Sequence, residues 1–119
     1  MGIVDPSEMQ PSIEVEVVAI DDYVRDNDVP RVRFIKLDVQ GAELQALVGA
    51  RLLLERDAPV ILCELVDIYW GSKQETTIAE LEAFLTDAGY RAWTIPRRAK
   101  TVGQPSPMNV LFAKRDPWT

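Results

Sequence analysis

One stretch, from Phe34 to Glu43, constrains the fold of this chain more than any other. It reads Phe-Ile-Lys-Leu-Asp-Val-Gln-Gly-Ala-Glu. Its first half is an apolar, strand-favouring run that is interrupted only by Lys36, and Gly41 ends the run before a helical pattern begins. Asp38 falls near the carboxyl end of this predicted strand, which is the edge where open α/β sheets bind ligands. Its position makes Asp38 a candidate for chemistry.

Composition excludes several classes of function. The 119-residue chain has no histidine, which excludes histidine-dependent hydrolases and leaves acid–base work to carboxylates, lysine or tyrosine. A net charge of −6 argues against a nucleic-acid partner. Cys63 is the only cysteine and lies in an apolar run, so we expect a buried, unreactive thiol. The chain has neither a bilayer-spanning run nor an apolar leader, so we expect a cytoplasmic protein without a membrane partner.

The first part of the chain predicts strand, helix, strand and helix. Residues 1–12 have no periodicity and are expected to form a loose arm. Residues 13–20 begin with alternating apolar and acidic side chains, which predicts a partly solvent-facing strand. Asp21 or Asp22 is then expected to cap a short helix.

The central strand is predicted to begin at Val32 and to end at Val39. A helix over residues 42–55 follows, because its apolar residues recur at helical spacing. Gly49 lies inside this helix, where a small residue often allows close packing on a sheet.

The second part of the chain adds an apolar strand over residues 60–65 and a helix that begins at a Thr77-x-x-Glu80 capping box and ends at Gly89. Two more strands are predicted over residues 90–95 and 109–113. This order predicts a single α/β domain over residues 1–119, with early strands paired in parallel through right-handed crossovers and a last strand free to run antiparallel.

Three carboxylates, those of Asp38, Glu43 and Glu64, are predicted near one edge of this sheet. These three acids could form one shared functional site. Each of them could instead have a purely structural role. Glu43 would be favoured by the helix dipole, Asp38 could stabilise the turn at Gly41, and Glu64 could accept backbone hydrogen bonds. Clustered oxygen ligands would also suit magnesium or calcium, which is a weaker third interpretation.

Two motifs together resemble the FkbM-type methyltransferases. The first is Val-Glu-Val-Val-Ala-Ile-Asp-Asp-Tyr, from Val15 to Tyr23, and the second is the stretch that ends at Glu43. The second contains the pattern Lys-x-Asp-x-(Glu or Gln)-Gly-x-Glu, with Gln40 at the position where glutamate is often found. Further matches follow in the same order along nearly the whole chain: Leu47, Gly49 and Ala50, then Pro59 to Glu64, then Gly89 and Tyr90, then Asn109, Val110 and Leu111.

The resemblance implies methyl transfer from S-adenosylmethionine to a hydroxyl of a sugar or secondary metabolite. It also implies a Rossmann-like class I sheet, of which this chain supplies the C-terminal half, mostly parallel with an antiparallel last strand and with helices packed on the sheet. Lys36, Asp38 and Glu43 would lie on the acceptor side, with Asp38 as positioning group or general base, and Glu64 would support them from the adjacent strand.

The glycine-rich motif that usually holds this cofactor is absent, since no Gly-x-Gly follows any predicted strand. We therefore expect the chain to be inactive alone, and the sequence does not identify cofactor-binding residues. The alternative is a non-enzymatic binding or assembly module derived from a methyltransferase.

The same resemblance has a consequence for assembly. The strand from Val32 to Val39 would be central in a complete sheet, so it would expose a long apolar edge here. We expect a homodimer through this edge, unless residues 13–20 fold back to cover it.

Overall fold

A computed structural model describes residues 11–39, 41–65, 78–94 and 108–118. The elements follow one another as α1 (Ile20–Asp26), β1 (Phe34–Leu37), α2 (Glu43–Val48), α3 (Arg51–Asp57), β2 (Val60–Leu65), α4 (Ile78–Asp87), β3 (Arg91–Thr94) and β4 (Met108–Ala113). The sheet has four strands in the order β1-β2-β4-β3. β1 and β2 pair in parallel, whereas β4 runs antiparallel to both of its neighbours. The predicted α/β class and the antiparallel last strand are confirmed. No helix in the described ranges has the length and apolar character needed to cross a membrane.

One face of the sheet carries the core. Leu37 on β1 and Ile61 and Cys63 on β2 are buried there and pack against apolar helix residues, because alternate strand residues share a face. The buried helix residues in this cluster are Leu47, Ala50, Leu53, Leu54, Leu81 and Leu85. Phe34 and Leu62 project from the opposite face and do not belong to this cluster, and Phe34 is 53% exposed. The described helices therefore cover one face of the sheet.

The predicted strand over residues 13–20 is wrong. Residues 13–19 lie in no strand, and α1 begins at Ile20. Ile13, Val15 and Val17 are 87%, 71% and 91% exposed. An alternating pattern gives a segment an apolar face, but a strand also needs a neighbour for its backbone groups. No described strand pairs with this segment.

The strand predicted from Val32 to Val39 is shorter in the structure, since β1 spans only Phe34–Leu37. It lies at the edge of the described sheet. Before the strand, the Val32 amide donates to Asp57 Oδ2 over 2.9 Å instead of joining a ladder. After it, pairing with β2 ends at the partners Leu37 and Cys63. Tertiary contacts thus set both ends of β1.

Arg56 and Asp57, at the end of α3, hold the chain in place before β1. Arg56 donates from Nε to Asp57 Oδ1 over 2.9 Å and from Nη2 to Asp57 Oδ2 over 2.7 Å. Arg56 Nη2 also lies 3.3 Å from the carbonyl oxygen of Val29 and 3.4 Å from that of Pro30. Because the hydrogen bonds from Arg56 and from the Val32 amide favour the charged carboxylate, the pKa of Asp57 is lowered.

The single helix predicted over residues 42–55 is wrong, because a turn at Gly49 and Ala50 divides it into α2 and α3. Close packing of Gly49 on the sheet is also not observed. A Cβ added at Gly49 would lie 3.5 Å from the Cβ of Ala19, which precedes α1. The Gly49 carbonyl accepts a 2.7 Å hydrogen bond from the Asp21 amide. Contacts with the start of α1 therefore accompany the break between α2 and α3.

The predicted capping of α1 by Asp21 or Asp22 is wrong as well. The N-cap residue of α1 is Ala19, and no side chain caps the helix. The Asp21 carboxylate instead accepts hydrogen bonds from the amides of Leu52 and Leu53 at the start of α3, each at 2.9 Å. Asp21 thus caps a helix that is distant in sequence.

The second part of the chain follows the prediction closely. β2 has the predicted bounds, and β3 and β4 lie within one residue of theirs at each end described. α4 is followed by Gly89 at φ 91°, the left-handed conformation expected of a glycine stop. Thr77, the first residue of the predicted capping box, lies outside the described residues.

Candidate functional site

Asp38 and Glu64 come together at the carboxyl ends of β1 and β2. Leu37 and Cys63 are the last residues at which the two strands pair with each other, and Asp38 and Glu64 each follow one of them directly. Neighbouring strands lie about 4.8 Å apart, which brings the two backbones close together. Lys36 lies on β1 two residues before Asp38, which follows the end of the strand. Lys36 and Asp38 are exposed and Glu64 is half-buried.

Glu43 reaches this edge from the first position of α2. It is 6% exposed, and its Oε2 accepts a 2.9 Å hydrogen bond from the amide of Gly41. Gly41 adopts φ 103°, a conformation that strongly favours glycine. The Glu43 carboxylate therefore closes the turn that leads from β1 into α2, which is a structural role for this residue.

Cys63 on β2 confirms the predicted buried thiol, because its side chain is fully buried. Burial raises the pKa of Cys63 to about 12, with a smaller contribution from the negative charge of Glu43. Glu43 begins α2, which follows the turn after β1. The two parallel strands and α2 thus contribute to one corner of the domain.

Asp38 differs from Glu43 in its surroundings. Within the described residues, Asp38 makes no hydrogen bond or ion pair, whereas Glu43 is held by its turn. The Asp38 carboxylate is consequently accessible to a ligand from solvent. No group of three acidic or cysteine side chains in the described ranges is placed to hold a metal ion. The cation-site interpretation gains no support.

A groove with a volume of about 410 Å³ lies between α3, α4 and the end of β4, away from the carboxyl ends of β1 and β2. Arg51 stacks over the ring of Phe84 there, with its guanidinium carbon 5.3 Å from the ring centre. The lining residues are Arg51, Leu54, Glu55, Phe84, Asp87, Ala88 and Lys114. Sequence patterns did not indicate this groove, because it is formed by α3, α4 and the residue after β4. None of the predicted site residues lines it.

The described residues do not fit an S-adenosylmethionine cradle. The turn after β1 contains one glycine, Gly41, and no Gly-x-Gly occurs in the chain. Among the described residues, Trp93 Nε1 is the one buried side-chain nitrogen or oxygen atom without a hydrogen-bond partner, and it lies on β3. The acidic corner comprises Asp38 after β1, Glu43 on α2 and Glu64 on β2. Among the described residues it therefore contains no buried polar atom that lacks a partner and could bind this cofactor.

The fold and the acidic corner define a class of protein: an α/β domain with acids at the carboxyl ends of a parallel strand pair. The sequence profile of the methyltransferase FkbM domain matches residues 6–92. The chain therefore belongs to the FkbM methyltransferase domain family, whose chemistry depends in general on S-adenosylmethionine. The match extends from the residues before α1 to β3, and β4 follows it. No curated protein and no solved structure matches the chain significantly.

Proposed function

We propose that this chain takes part in methyl transfer from S-adenosylmethionine to a hydroxyl of a sugar or secondary metabolite. Family membership supports the reaction type. The observation that carries the assignment to these residues is the exposed Asp38, which directly follows β1 where its pairing with β2 ends and has no partner among the described residues. We assign this corner to the acceptor and propose a cytoplasmic location for the protein.

Methylation of a hydroxyl requires removal of its proton, an in-line approach and exclusion of water, and positioning contributes the largest share of catalysis. Asp38 is the proposed general base. Its carboxylate accepts a hydrogen bond from the acceptor hydroxyl and then takes the proton as the oxygen is methylated. A carboxylate fits this role because the chain contains no histidine.

The other predicted site residues act around Asp38. Glu43 is a positioning residue, because its bond to the Gly41 amide shapes the turn that follows Asp38. Lys36 lies two residues before Asp38 and is exposed, so it can donate a hydrogen bond to a second acceptor oxygen. Glu64 supports the acceptor from β2.

Because the described residues form no binding site for S-adenosylmethionine, the test compares the chain alone with a mixture that contains such a site. We expect the full chain alone to give no heat with S-adenosylmethionine in calorimetry and no transfer of labelled methyl groups to sugars. Adding a glycine-rich cofactor-binding polypeptide from an FkbM relative should restore both. In that mixture, Asp38→Asn should lower turnover by a factor of about 10² or more, the usual contribution of a general base.

Two further variants are measured beside Asp38→Asn: a control at an exposed acid away from the site, and a variant of the positioning residue Glu43. Asp22→Asn removes an exposed acid on α1 and should leave turnover unchanged. Glu43→Gln should lower turnover together with thermal stability, because it weakens the turn at Gly41. Full turnover by Asp38→Asn would contradict the assignment of the base.

The same calorimetry tests the alternative of a non-enzymatic binding or assembly module, which the missing cradle favours. Absence of methyl transfer in every mixture, even when the mixture binds S-adenosylmethionine, would replace the proposed function by this module. Micromolar binding by the chain alone would overturn the argument from the missing cradle.

A further inference from the structure

None of the described strands pairs with the outer edge of β1. The amide of Val60 donates to the carbonyl of Arg33 over 3.0 Å, which shows that alternate residues of β1 turn their backbone groups toward β2. The backbone groups of Phe34 and Lys36 therefore point away from the sheet, and no described strand meets them. Open edges of this kind pair readily with another strand.

The backbone of residues 13–18 also lacks a hydrogen-bonding partner within the described residues. Residues 13–18 lie in no helix or strand, and their backbone groups make no hydrogen bond within the described residues. The apolar side chains of this segment are largely exposed, and Glu14 and Glu16 between them are also exposed. A segment with one apolar and one acidic face has the pattern of an edge strand.

The two features complement each other in charge. The segment is acidic, whereas β1 and the residues before it carry the exposed cations Arg31, Arg33 and Lys36. Pairing β1 with β1 of a second copy would instead bring like charges together, which is unfavourable between adjacent strands. If the segment pairs with β1, its apolar residues can continue the core face next to Ile35, and its glutamates can share the face of Lys36.

We propose that two copies of this chain form a symmetric dimer in which residues 13–18 of each copy pair with the β1 edge of the other. Such an exchange is isologous, so it satisfies both segments and both edges at once. The proposal concerns the chain by itself and does not depend on methyl transfer.

The exposed apolar surface is sufficient for this contact. The exposed fractions are 87% for Ile13, 71% for Val15, 91% for Val17, 51% for Val18, 53% for Phe34 and 44% for Val39. These side chains expose roughly 600 Å² per copy, so strand pairing in both copies can remove at most roughly 1,200 Å² of apolar surface, which reaches the lower limit for stable interfaces. A single protein seldom leaves an apolar patch larger than a few hundred Å² exposed.

Charge reversal tests the pairing without knowledge of its register. Sedimentation velocity should show a wild-type dimer. Glu14→Lys/Glu16→Lys and Arg33→Glu/Lys36→Glu should each raise the dimer dissociation constant by about tenfold or more, because each places like charges in both contacts. An equimolar mixture of the two variants should form a heterodimer, since both of its contacts again join opposite charges.

A charge-matched control is available on the helices. Glu55→Lys/Glu82→Lys makes the same change in net charge at exposed positions of α3 and α4 and should leave the dimer intact. Circular dichroism should show unchanged folding of Glu14→Lys/Glu16→Lys, whose positions lie outside every helix and strand.

Three results would overturn the proposal. One is a wild-type monomer at the highest soluble concentration, which would mean that the edge is covered within one chain or by a different protein. The second is a dimer that Glu14→Lys/Glu16→Lys leaves unchanged. The third is a mixture of the two charge-reversed variants that stays monomeric.

Discussion

Asp21 links α1 to α3, and its replacement by alanine tests how strongly this contact stabilises the domain. Its carboxylate accepts the amides of Leu52 and Leu53 at 2.9 Å each. The local N-cap residue of α3 is Ala50, which has no side-chain acceptor to offer. Asp21→Ala therefore leaves first-turn amides of α3 without a protein partner.

The magnitude follows from the number and burial of these hydrogen bonds. Loss of one capping side chain typically costs about 1 kcal/mol, with a range of about 0.5–2 kcal/mol. Here one carboxylate serves two amides, and the residue Leu53 is only 3% exposed, so its amide is hydrated poorly after the change. We expect Asp21→Ala to lower the free energy of unfolding by about 1.5–2 kcal/mol. For a domain of this size, that corresponds to a fall in Tm of about 5–10 °C.

The assay is urea denaturation and thermal melting of Asp21→Ala beside Asp22→Ala. Asp22 is the adjacent acid and makes an exposed ion pair with Arg25 at 3.3 Å. Such a pair contributes about 0.5 kcal/mol or less, so Asp22→Ala should be close to wild type. Equal losses for the two variants would refute the capping role of Asp21. Asp21→Asn should fall between the wild type and Asp21→Ala, because an amide has one acceptor oxygen.

Further predictions concern local conformation and titration. Gly49→Ala should raise the free energy of unfolding by about 0.5–1 kcal/mol, since Gly49 has an ordinary helical φ of −72° and a Cβ there makes normal contacts. Gly41→Ala should lower it by about 1 kcal/mol or more in the same denaturation assay, because φ at Gly41 is 103°. The hydrogen bond from Arg56 is the main reason that the pKa of Asp57 lies below its ordinary value of 3.8, so the stability it contributes is present above that value and is lost as the pH falls through the lowered pKa. Unfolding curves of Asp57→Asn should accordingly show a smaller loss of stability below pH 3.8 than those of wild type. Cys63 should react with a thiol reagent only as fast as the domain opens, because burial raises its pKa to about 12, and fast reaction at neutral pH in the folded state would contradict this.

Much of the candidate site could be predicted from local sequence. The apolar run before Asp38 and the glycine after it are short-range signals, and they place this acid at the end of a strand. Glu64 ends an equally clear apolar run. The role of Glu43 was less accessible, because its carboxylate bonds the backbone of Gly41, and side-chain orientation is not encoded in a spacing of charges.

The amino-acid sequence by itself determined β2, α4 with its stop at Gly89 and the burial of Cys63. Those features depend on apolar patterns and on backbone preferences that act over a few residues. Only the tertiary structure decided that residues 13–19 form no strand, that the helix after Gly41 breaks at Gly49, and that Asp21 caps α3. The physical reason is that strand pairing and capping need a partner whose position the whole fold sets: no described strand pairs with residues 13–19, and the amides that Asp21 caps lie 31 and 32 residues further along the chain.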